Sequence, residues 1–228
     1  MSARSRAAAA ACAAALLLCA GCSGKPPVLS RVFGRVIYAH DSATNTNTET
    51  LGVFLVASDP DGMENLSAFY VINDEAELFW KVDSTTWVTS NAEGETWIGT
   101  TSLAMPGTTP IPPGEYRVVL QANGGATVEE TLTVPSRAVS AVDAKYPTAV
   151  IENGLIKVSG AAAGYEIWVY GKDGKFAASF PSTGASSPVS LQTIEASAPP
   201  AGGFTFRVFA WNPGAGYGVL SAPYPSGK

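Results

Sequence analysis

The sequence predicts an all-β protein made of two β-sandwiches in tandem, and three observations carry the prediction. The 228 residues are 46% hydrophobic and only 14% charged, with 23 glycines and 16 prolines, a composition suited to short strands and tight turns. Apolar and polar residues alternate in short runs through most of the chain. Turn-forming clusters such as Asp59-Pro60-Asp61-Gly62, Asn123-Gly124-Gly125 and Lys172-Asp173-Gly174 punctuate those runs. The same composition is too apolar for a disordered chain and too poor in Lys and Arg for a general nucleic-acid binder.

Ahead of the strands, residues 1–21 read as a secretion signal. Arg4 and Arg6 make a positive start, and residues 7–20 form an apolar stretch too short to span a bilayer. It ends in Leu18-Cys19-Ala20-Gly21-Cys22-Ser23, which resembles a bacterial lipoprotein signal, with Cys19 where that family commonly has Leu. The resemblance implies cleavage before Cys22, acylation of Cys22 (palmitate among the chains) and anchoring in the cell envelope. Ser23, where an aspartate would favour the inner membrane, implies the outer membrane. An ordinary secretory peptide cut near Cys22 is the competing reading.

Loss of residues 1–21 leaves 12 bases against 19 acids. A body that acidic is repelled by anionic headgroups, so lipid has to hold it at the membrane. The three cysteines are Cys12, Cys19 and Cys22, so the folded part is expected to have neither disulfides nor thiolate-bound metal. His40 is the sole histidine, which removes the usual histidine-based sites. No cofactor is expected.

Residues 22–28 supply the lipidated cysteine and a tether, and residues 29–134 the first sandwich. Strands are predicted at 31–38, 51–57, 66–72, 78–82, 85–88, 95–103, 115–121 and 126–134. A hairpin is expected around Asp83-Ser84, and a polar loop over 41–50. The seam follows Pro135-Ser136. The second sandwich covers 137–224, with strands at 149–151, 155–159, 165–170, 176–180, 189–194, 204–211 and 217–220. Glu152-Asn153-Gly154 and Lys172-Asp173-Gly174 serve as hairpin turns, since Asn and Gly accept positive φ.

Phe204-x-Phe206-x-Val208-x-Ala210-x-Asn212, then Gly214-x-Gly216-x-Gly218 and Ser221-Ala222-Pro223, resembles the last two strands of a fibronectin type III domain and their glycine turn. That family's tryptophan on an early strand has no counterpart in 155–159. The first body resembles immunoglobulin-like domains more generally, through Pro113-Gly-Glu-Tyr-Arg-Val-Val-Leu120. Such sandwiches serve in adhesion, as spacers of carbohydrate enzymes and in receptors, so the fold does not fix a function.

Alternation assigns faces. On 204–211 one face carries Phe204, Phe206, Val208 and Ala210, and the other Thr205, Arg207, Phe209 and Trp211. On 165–170 one face carries Tyr165, Ile167 and Val169, and the other Glu166, Trp168 and Tyr170. The wholly apolar faces are expected in the core. If the family's topology holds, Trp168, Tyr170, Phe209 and Trp211 share an outer surface beside Glu166 and Arg207. That surface is expected to dock another protein, a glycan or the first body.

Other constellations are weaker. Asp59, Asp61, Asn73 and Asp74 offer oxygens suited to calcium, although their spacing matches no EF-hand, and a turn plus a solvated loop is the plainer reading. Trp80 alternates with Leu78 and Val82 and reads as core, while Trp87 and Trp97 stay open between core and a sugar-stacking platform. His40-Asp41 is no base and orienter, because adjacent strand residues point apart. No Gly-x-Ser-x-Gly or phosphate-binding loop occurs. The expectation is a lipid-anchored envelope protein that binds or scaffolds without catalysis. Its alternative is a carbohydrate-binding accessory lipoprotein, and a third reading is a catalytic lipoprotein whose site the sequence does not display.

Overall fold

A computed structural model describes residues 25–226, apart from 93, 162–163, 185 and 198–202. The signal segment 1–21 and Cys22 lie outside the described residues. The first half holds β1 (Val28–Asp41), β2 (Thr46–Ser58), a 3₁₀ turn (Met63–Asn65), β3 (Leu66–Asn73), β4 (Leu78–Asp83), β5 (Val88–Ala92), β6 (Glu95–Ala104), β7 (Gly114–Ala122) and β8 (Thr127–Val134). The second half holds β9 (Thr148–Glu152), β10 (Leu155–Ser159), β11 (Glu166–Tyr170), β12 (Phe176–Pro181), β13 (Val189–Ser190), α1 (Leu191–Ser197), β14 (Thr205–Asn212), β15 (Tyr217–Leu220) and β16 (Tyr224–Pro225).

The all-β class and sandwich layering are as predicted. In the first half, β1-β2-β6-β5 packs against a sheet ordered β4-β3-β7-β8. In the second, β12-β11-β14-β15 packs against β13-β10-β9. What the sequence did not announce is how the halves meet. Residues Val36–Ala39 of β1 pair in parallel with Tyr217–Leu220 of β15, so the two larger sheets fuse edge to edge. With β16 beside β14, the product is one nine-stranded sheet that crosses the seam. Fusion removes two exposed edges that would otherwise carry unpaired backbone groups.

The core is continuous across this join. Tyr38 and Tyr217 stack with centroids 4.6 Å apart, and a single buried cluster runs from Leu29 through Leu120 to Val219. Gly34 lets β8 approach β1, because a Cβ there would collide with the Leu132 side chain. The connecting segment after β8 is pinned rather than loose. Arg137 Nη2 donates to Glu49 Oε1 at 2.5 Å and to Ile111 O at 2.6 Å, and Tyr38 Oη donates to Val139 O at 2.7 Å.

Three local expectations need correction. No hairpin forms around Asp83-Ser84: β4 pairs with β3, the chain turns through 83–87, and β5 joins β6 in the other sheet. Residues 46–50 are strand, not loop, because their backbone pairs with β1 from Ile37 to Asp41. The strand predicted at 189–194 is only two residues long before α1 begins. Leu191 and Ile194 stand three apart, which puts both on one helical face, and both pack on the core.

Candidate functional site

The second face of the nine-stranded sheet, the one turned away from the main core, carries the aromatic residues singled out in the sequence. β11 and β14 are antiparallel neighbours, with Glu166 opposite Phe209 and Trp168 opposite Arg207. The six side chains predicted to share a surface therefore do stand on one face. Their exposure is a different matter. Trp168 is 8% exposed and Phe209 only 2%, and with Ile37 and Leu220 they form a second, smaller core on that face. Trp168 stacks on Phe209 with centroids 4.5 Å apart and meets Phe176 in a T-shaped contact at 5.8 Å. Tyr170 and Trp211 pack around the rim of this cluster.

The fused sheet explains the burial. β1 and β15 bring Ile37, Ala39 and Leu220 alongside the aromatics, and neither strand's contribution is visible from β11 and β14 alone. Gly218 leaves the space in which the Phe209 ring lies; a Cβ there would collide with that ring. The polar members of the predicted surface are likewise engaged. Trp168 Nε1 donates to Glu166 Oε2 at 3.0 Å. Arg207 Nε donates to Ser221 O at 2.7 Å and its Nη2 to His40 O at 2.9 Å, tying β14 to β15 and β1. Burial lowers the Arg207 guanidinium from its ordinary value, partly offset by Tyr170 and Asp41. Burial also pushes the Tyr170 hydroxyl up to about 12.

The accessible part of this face lies further along the sheet, in the first half. A groove of about 260 Å³ is walled by Phe33, Phe54 and Trp97 on one side and by Trp168 and Phe209 on the other. Gly52 forms part of its lining between β1 and β6. Gly99 does for Phe54 what Gly218 does for Phe209, since a Cβ there would strike the Phe54 ring. Phe33 is 45% exposed, and its ring meets Trp97 at 5.5 Å. Among the described residues, Arg35 and Thr101 are the two with polar side chains beside the aromatic and aliphatic lining. The Arg35 guanidinium lies 5.1 Å over the Trp211 ring. Arg31, outside the groove, covers Trp97 at 5.5 Å and pairs with Glu95.

The calcium expectation fails on geometry. Asp59 and Asp61 lie just before β3 and Asn73 and Asp74 at its far end, so the eight-residue strand holds the pairs about 23 Å apart. Each is otherwise occupied. Asp59 accepts from Asp61 N and from Asn65 Nδ2, Asp61 Oδ2 accepts from Lys25 N, Asn73 Oδ1 accepts from Ala76 N, and Asp74 takes two hydrogen bonds from Arg117. That guanidinium holds the Asp74 carboxyl below its usual range. Among the described residues no group of three or more His, Cys, Asp or Glu is placed to hold a metal.

The remaining sequence candidates have structural places. Trp80 stacks on Tyr116 and donates Nε1–H to Ala104 O at 3.1 Å, and Trp87 stacks on Phe69; both pack against the main core. Trp97 alone of the three belongs to the groove. His40 Nδ1 meets Asn47 Oδ1 at 2.8 Å, whereas the Asp41 carboxylate turns back to accept from Ala43 N.

No family model matches this chain, and no curated protein does. Among solved structures it overlaps dimeric latent PorU from Porphyromonas gingivalis, at 12% identity and a TM-score of 0.33, over 89% of this chain and 20% of that one. It also overlaps the BSP domain of a biofilm associated protein, at 14% identity and a TM-score of 0.29, over 87% of this chain and 29% of that one. The chain thus spans less than a third of either structure, and so slight a likeness says nothing about its activity.

Proposed function

We propose that this protein is a lipid-anchored component of the bacterial cell envelope that acts as a non-catalytic binding module through the outer face of its nine-stranded sheet. The groove bounded by Phe33, Phe54 and Trp97 carries the reading. Apolar side chains line it almost throughout, it opens on the side of the sheet away from the main core, and it is built on paired strands that hold it rigid. The Leu18–Ser23 signal supports acylation of Cys22 and an outer-membrane address. The order β12-β11-β14-β15 over β13-β10-β9 supports the fibronectin type III resemblance of the second half. A glycan partner is less well served, because sugar recognition needs polar groups beside the rings, and among the described residues this groove offers only Arg35 and Thr101.

Two measurements on cells test the proposal. Radiolabelled palmitate is expected to enter the wild-type protein and not Cys22→Ser, and the variant is expected to leave the membrane fraction. A photo-crosslinking residue at Thr101, inside the groove, is expected to give a discrete adduct, with none from Thr131 on exposed β8. Labelling of Cys22→Ser would refute the anchor. Equal adducts from both positions, or none from either, would refute the binding face.

A further inference from the structure

Resting on that binding-module reading, we propose that the groove takes the hydrocarbon chain of a single-chain anionic amphiphile, a medium-chain fatty acid, with its carboxylate at Arg35. Three observations converge on this chemistry. The first is shape. The lining comes from β6, β2 and β1 on one side and from β14 and β11 on the other, so the groove is elongated across the strands rather than a round pocket. Its 260 Å³ suits about nine methylenes, each taken as roughly the volume of a water molecule.

The second observation is the lining itself. Aromatic rings from five strands face the trough, while Gly52 keeps its middle clear of side chain. Gly99 and Gly218 let Phe54 and Phe209 lie low against the sheet, which keeps the trough open. A flexible alkyl chain gains contact along such a path without having to satisfy polar atoms.

The third is charge. Among the described residues Arg35 is the sole charged side chain in the lining. Among the described residues it has no carboxylate partner, and its guanidinium lies over the Trp211 ring. Arg31, by contrast, is neutralised by Glu95. An unpaired guanidinium bordering an apolar trough complements a carboxylate carrying a chain, and offers two parallel N–H donors to it. A cationic or neutral amphiphile of the same length lacks this match.

Dodecanoate is the probe, added below its micellar concentration to the full chain carrying Cys22→Ser. Intrinsic tryptophan fluorescence and calorimetry are expected to show saturable binding at one site per chain. Dodecyltrimethylammonium is expected to bind about tenfold more weakly or not at all. Arg35→Ala should remove that preference for the anion, and Thr101→Trp, which fills the trough from an accessible position, should abolish binding with its melting curve kept. Equal binding of both head groups, or binding unaffected by Thr101→Trp, overturns the proposal. If dodecanoate fails while the Thr101 crosslink in cells still gives its adduct, the fatty-acid proposal falls and the binding module stands; if both fail, both fall.

Discussion

Replacing Arg137 by methionine should be among the most damaging single changes available, although the residue lies in a segment with no regular structure. Its side chain and that of Glu49 are each only 6% exposed. The guanidinium donates to Glu49, to Ile111 O and to Pro135 O, while Glu49 also accepts from Ile111 N at 3.0 Å. Arg137→Met leaves the buried Glu49 carboxylate with that one backbone donor. Breaking a buried pair from one side costs about 3–5 kcal/mol, because the surviving charge stays desolvated. For a chain of this size that corresponds to a fall in Tm of about 6–20 °C. Replacing both partners, Glu49→Leu with Arg137→Met, should recover most of the loss, since an apolar pair strands no charge. Urea denaturation of the four forms gives the coupling energy directly. The reasoning is refuted if the single variant loses less than about 1 kcal/mol, as a solvated surface pair would, or if the double variant is as weak as the single.

Other outcomes follow from the two-faced sheet. Gly218→Ala should push the Phe209 ring off its bed and cost about 1–3 kcal/mol, read by thermal melting; an unchanged melt would mean that the ring is free to move aside. Trp168→Ser should cost about 3–5 kcal/mol as a buried aromatic, whereas Trp97→Ser, half-buried at the groove, should cost well under half of that. Burial pushes the hydroxyls of Tyr146 and Tyr170 up to about 12, so the folded state holds those protons more tightly than the unfolded chain, whose tyrosines ionise near 10. Their stabilisation is complete below about pH 10 and lost as pH rises towards 12, by about 1–2 kcal/mol per group once solvent screening is allowed for. Denaturation followed from pH 9 to 12 should show this fall, and Tyr170→Phe should lessen it.

Much of the strand plan was legible because alternation is a local property. The inner faces assigned to 165–170 and 204–211 are the residues found in the main core, and the Asn153-Gly154 turn has both residues at positive φ, 52° and 74°. What escaped is non-local. Nothing in Val36–Ala39 or Tyr217–Leu220 announces that they will pair, and that pairing converts Trp168 and Phe209 from exposed rings into a second core. A signal for the groove was nevertheless present. Residues 53–57, Val-Phe-Leu-Val-Ala, form an unbroken apolar run, the mark of a strand whose two faces are both apolar. Applying alternation to β1 would have placed Phe33, Arg35 and Ile37 together on the side opposite Val36 and Tyr38. The Asp83-Ser84 hairpin failed for a different reason: a turn signal gives the reversal of the chain and is silent about which sheet the next strand joins.

The most direct test of the central claim uses the absence of cysteine beyond Cys22. With cysteine introduced singly at Phe33 or Thr101, the account predicts rapid thiol labelling in the purified protein and strong protection in intact cells, where the groove is filled. Cysteine at Thr131 should label equally in both. Equal labelling of the groove positions in cells and in isolation would contradict the claim that this face is where the protein binds.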